Sequence, residues 1–94
     1  MLGARWPSFA ITSHFISPTV FREGEFRFYF FSREESRMHV HVQCSEGEAK
    51  YWLEPAVELA HNYGLSERQL RSVKALIETH ADEIRSSWAR HFGG

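Results

Sequence analysis

The chain has 94 residues, 43% of them hydrophobic and 15% aromatic, with eight Phe, three Trp and three Tyr. That length supports one domain and excludes a second core, and that composition excludes disorder of the whole chain. Eleven Lys and Arg against twelve Asp and Glu leave a formal net charge of −1, which excludes a global field that would draw the protein to nucleic acid or to an anionic membrane.

Met1 to Ser17 follows neither a strand nor a helix period. Arg5 is followed by Pro7, Ser8, Thr12, Ser13 and His14, which interrupt any apolar run and argue against a signal peptide. Residues 1–17 therefore read as a poorly ordered N-terminal extension ending at Ser17-Pro18, and residues 18–94 as a single α+β domain. Trp6, Phe9, Ile11, Phe15 and Ile16 support a second reading, a segment that covers the core, because tails seldom carry that many large apolar groups.

From Thr19 the pattern becomes that of strands. Thr19 to Arg22 and Phe26 to Phe31 flank Glu23-Gly24-Glu25, where glycine supplies the positive φ of a hairpin turn. Phe26, Phe28 and Phe30 share one face, the better core face, while Arg27, Tyr29 and Phe31 share the other. After the polar loop Ser32 to Arg37, His39 to Cys44 and Glu48 to Leu53 form a second hairpin around Ser45-Glu46-Gly47. Pro55 ends the last strand, and Val57 to Ala60 is a short ambiguous apolar piece before a turn at Asn62-Tyr63-Gly64. Cys44 is the sole cysteine. It excludes an internal disulfide and a cysteine-based zinc cluster, suits a reducing compartment, read as the cytoplasm, and is expected to be an inert small hydrophobe. No apolar stretch approaches the ~20 residues of a membrane helix.

Ser66 and Gln69 form a capping box with Leu65 and Leu70 at the staple positions, which predicts one helix from Ser66 to about His91. Leu70, Val73, Ile77, Ala81, Ile84, Trp88 and Phe92 fall on one face, with Leu76 at its edge. Glu67/Arg71 and Lys74/Glu78 lace the solvated side. The expected fold is thus a three- or four-stranded antiparallel meander packed on one C-terminal amphipathic helix in two layers, with Ile84 and Trp88 against Phe26, Phe28 and Phe30.

Taken together, Phe21-Arg22-Glu23-Gly24, Phe28-Tyr29-Phe30, His39-Val40-His41-Val42, Glu48 to Pro55 and the later His80, Glu83-Ile84 and Trp88 resemble a small bacterial domain of unknown function, DUF4160. The resemblance runs in order from about Pro18 to Phe92. Where family members often place a proline pair before the first histidine, this chain has Arg37-Met38. The resemblance implies a bacterial cytoplasmic protein whose gene lies beside that of another short protein, in an arrangement like a toxin–antitoxin pair. It implies no established activity.

His39 and His41 share one strand face, about 6.5 to 7 Å apart along the chain. Three readings stand for the pair: contact with a partner or a phosphate, a metal site completed by His80 and Glu83 if the helix crosses that face, and plain strand structure. As residues of a solvent face, their joint replacement by Ala should leave the fold intact. His80 lies in the apolar sector of the helix, where bonding to Glu83 is the structural reading and general acid–base catalysis the functional one. Glu48, Lys50, Trp52 and Glu54 alternate out of the other strand, so an indole flanked by charges is a recognition surface. Arg22, Arg27, Arg33 and Arg37 are interleaved with acids, which reads as a mixed surface.

No phosphate-binding glycine loop, catalytic triad or cysteine nucleophile pattern occurs, so neither a cofactor nor a metal is expected, and whether the protein is an enzyme stays open. Two classes of function remain. The first is a protein-interaction component of a two-gene, toxin–antitoxin-like system, binding through His39, His41, Arg37, Lys50 and Trp52, with a neighbouring gene product or a second copy as partner. The second is a small RNA-acting enzyme or metal-binding protein that uses His39, His41 and His80.

Overall fold

The computed structural model describes residues 19–31 and 36–92; the extension read at 1–17 lies outside them. Five strands, β1 (Thr19–Glu23), β2 (Phe26–Tyr29), β3 (His39–Cys44), β4 (Gly47–Trp52) and β5 (Glu58–Tyr63), form an antiparallel sheet whose spatial order is the order in sequence. Two helices follow, α1 (Glu67–Thr79) and α2 (Ala81–Phe92). The α+β class and the antiparallel meander agree with the sequence reading. The counts do not: the described residues form five strands rather than three or four, and two helices rather than one.

Both differences have local causes. In β5, Glu58 and Leu59 pair with Trp52 and Tyr51, whereas His61, Asn62 and Tyr63 pair with Lys50, Ala49 and Glu48. Ala60 is therefore an extra residue, a β-bulge that destroys the alternation by which a strand is recognised. The expected turn shifts to Gly64, whose φ of +106° suits glycine. Asn62 closes it, its Nδ2 donating to the Leu65 carbonyl and its Oδ1 accepting from the Leu65 N–H, both at 3.0 Å.

The capping box is present as read: Ser66 Oγ accepts from Gln69 N–H at 3.1 Å, and Gln69 Oε1 accepts from Ser66 N–H at 2.9 Å. The helix stops at Thr79, with His80 as its C-cap at φ −102° and ψ 18°. Asp82 and Glu83 then complement the N-terminal dipole of α2. A one-residue interruption scarcely rotates the helical wheel, so Val73, Ile77, Ile84 and Trp88 stay on a single buried stripe. This is why the sequence reads as one helix.

Both helices cover one face of the sheet. Phe26, Phe28, Phe30, Val40, Val42, Ala49, Tyr51 and Leu53 meet Leu65, Val73, Ile77, Ile84 and Trp88 in the core. Trp88 packs edge-on to Phe30, as expected, with ring centroids 5.4 Å apart. Tyr51 Oη donates to the Leu70 carbonyl at 3.0 Å, and its burial pushes the phenol pKa up to about 12. No helix among the described residues is long and apolar enough to cross a membrane.

Candidate functional site

The centre of the sheet face turned away from α1 is also buried. His39 and His41 are each 0% exposed and Lys50 is 4% exposed, with Tyr29, Phe31 and Glu48 buried beside them. This corrects the expectation that the two histidines lie on a solvated strand face. Rings crowd the pair: Tyr29 stacks on His41 at 5.3 Å, Phe31 meets it edge-on at 5.9 Å, and the His39 ring lies 5.2 Å from it. The β2–β3 pairing ends at Tyr29 and His41. Past that point Trp88 of α2 meets His39 at 5.1 Å, while Trp52 stands opposite His39 in the ladder at 6.0 Å.

One hydrogen bond orients the first ring. His39 Nδ1 lies 2.7 Å from the Arg37 carbonyl oxygen, which only accepts, so Nδ1 is the donor. The same residue, Arg37, reaches back over Trp52, with its guanidinium carbon 4.1 Å from the ring centroid. Lys50 Nζ lies 4.6 Å from that centroid, so two cations engage one half-buried indole.

The cluster is braced from behind. Arg37 Nε and Nη2 both donate to the Glu54 carbonyl, at 3.0 and 2.8 Å. The Glu54 carboxylate accepts from Arg85 Nε of α2 at 3.0 Å. A helix, the chain leaving β4 and the approach to β3 are thereby tied at one point.

The structure thus brings Arg37, His39, His41, Lys50 and Trp52 together and leaves His80 out. His80 sits at the α1–α2 junction against β1, its ring tilted against Phe21 with centroids 4.1 Å apart, with Nδ1 3.0 Å from Glu83 and Nε2 3.5 Å from Glu23. His80 faces Glu23 and Glu83 instead, and among the described residues it and Glu83 do not gather with His39 and His41 into a group that could hold a metal. Nor do the arginines form one patch: Arg27 donates to Thr19 and Gln43 at the other end of the sheet from Arg37, and Arg33 lies outside the described residues. Tyr29, Phe31 and Trp88 were missed as members of the cluster. The parity of Tyr29 and Phe31 relative to Phe28 already placed them on this face, whereas nothing local to Trp88 points to His39.

Cys44 and Glu46 lie at the tip of the β3–β4 hairpin, where Gln69 Nε2 donates to Glu46 at 3.2 Å. Burial pushes the Cys44 thiol pKa up, which keeps it protonated and unreactive near neutral pH.

A family model described as a domain of unknown function, DUF4160, matches residues 25–89. No curated protein and no solved structure matches the chain.

Proposed function

The chain belongs to the DUF4160 family, and we propose that it is the protein-binding component of a two-gene, toxin–antitoxin-like system that engages its partner through Trp52 and Arg37. The observation that carries this reading is the pair of cations held against one half-buried indole. Trp and Arg contribute most to the binding energy of protein interfaces when they sit in a preformed, well-packed patch. Here the patch is preformed: Glu54 anchors Arg37, and Lys50 is already buried, so little side-chain entropy remains to be lost on binding. Such a surface suits a partner that is apolar at the centre of the contact and acidic at its rim.

His39 and His41 support the Trp52 patch from within. Complete burial favours that role over direct attack on an RNA substrate, which requires an imidazole within hydrogen-bond reach of a substrate oxygen. Co-expression of the tagged chain with the product of the adjacent gene tests the proposal. A complex that co-purifies and is lost in Arg37→Ala supports it; a chain that purifies alone, or a complex that Arg37→Ala leaves intact, contradicts it.

A further inference from the structure

Leu59 and Tyr63, the exposed large hydrophobics among the described residues, are 42% and 41% exposed, and both stand on β5. β5 is also an edge: β4 pairs with one side of its backbone, and no described strand lies beyond the other. An edge of this kind is a template for another strand. The opposite edge, β1, is built differently, with Arg22 and Glu23 at its turn end and Phe21 packed on His80. β5 carries neither Lys nor Pro, the residues that commonly blunt an edge, and Glu58 is its sole Asp, Glu, Lys or Arg.

We infer that β5 pairs with β5 of a second copy of this chain, antiparallel about a two-fold axis, joining the two sheets into one. The bulge dictates the register. Leu59 and Asn62, opposite Tyr51 and Ala49, share the helix side, whereas Glu58, His61 and Tyr63, opposite Trp52, Lys50 and Glu48, share the other side. Residues facing each other across an antiparallel pair point to the same face. With all six residues of the strand paired, that condition is met with Glu58 opposite Tyr63 of the second copy and Leu59 opposite its Asn62. A slip of one residue would oppose Leu59 to Tyr63, or Glu58 to Asn62, and violate it. In the matched register each Glu58 carboxylate lies diagonal to the His61 imidazole of the other copy, a complementarity repeated by the symmetry. The small Ala60 falls beside the axis, opposite His61. This self-complementarity selects a second copy over an unrelated strand.

Six residues a side make a slight interface, so association is to be followed by sedimentation equilibrium on the full chain up to about 1 mM, the range of weak contacts. The expected result is a mass that rises from one chain to two, and an association weakened at least about tenfold by Ala60→Lys, which sets two ammonium groups beside the axis. Independently of that variant, Glu58→Cys with Tyr63→Cys in a Cys44→Ser background should oxidise to a covalent dimer, while Glu58→Cys without the Tyr63 change should not. A monomer at every concentration overturns the inference. So does a dimer that Ala60→Lys leaves unmoved and the cysteine pair does not capture.

Discussion

A histidine packed among aromatic rings contributes by the space it fills and the bond it makes, whatever else it does. His41 lies among Tyr29, Phe31 and His39, and His39 among Trp52, Trp88 and the Arg37 carbonyl. Replacing both by Ala is therefore expected to destabilise the fold by about 2 kcal/mol or more, the cost of large-to-small change at buried sites. Urea unfolding measures this, and a change below about 0.5 kcal/mol, typical of surface positions, would restore the solvated-face reading. Tyr51 makes a second residue-scale prediction. Its pKa is raised by burial to about 12 from an ordinary value of 10.0, so the folded state retains the phenolic proton over a range in which the unfolded chain releases it. Stability from this group is complete below pH 10.0 and is lost as pH rises toward about 12. Tyr51→Phe should remove that alkaline loss and cost about 1 kcal/mol near neutral pH, because the Leu70 carbonyl loses its donor. Unfolding of both proteins across this pH range checks the sign; an identical alkaline decline in the two would contradict it.

At the scale of elements, the hairpins were readable because turn glycines separate runs of alternating residues, and the start of α1 was readable because its capping box is local. β5 and the break between the helices were not. The Ala60 bulge scrambles the face pattern of β5, and His80 interrupts the helix without shifting its apolar stripe. What holds β5 in place, by contrast, is non-local. A Cβ on Gly47 would collide with the Tyr63 carbonyl oxygen and lie 2.9 Å from Gly64 Cα, so the start of β4 and the end of β5 approach through glycine. Gly47 thus has a steric reason to be glycine, and its place inside β4 rather than in the turn follows. Because the obstructing atoms are backbone, Gly47→Ala should cost at least about 2 kcal/mol, the scale at which overpacking forces the backbone to move. Thermal unfolding measures it. Gly24, which has a φ of +59° but open space around its Cβ, should tolerate Ala better; the reverse order would contradict the close-approach account.

Taken as a whole molecule, the chain buries the centre of both faces of its sheet although both described helices lie on one. A small domain gains from such burial, since little of its surface is otherwise removed from water on folding. The sequence disclosed which residues share the second face, because strand parity does so directly; it did not disclose that this face is buried, nor that Trp88 reaches it, because those facts arise from packing between distant segments. Arg37, Lys50 and Trp52 were readable as a charged aromatic group for the same reason of parity and proximity. Their mutual fit depends on Glu54, whose carbonyl and carboxylate hold Arg37 and Arg85. The most direct measurement of the proposed role is titration calorimetry of the purified chain and its Trp52→Ala variant with the product of the adjacent gene, with circular dichroism confirming that both are folded. The native chain should form a one-to-one complex, and the variant should lose about 2 kcal/mol of binding, roughly 30-fold in Kd. No binding by the native chain, or equal affinity in the variant, would contradict the proposed role.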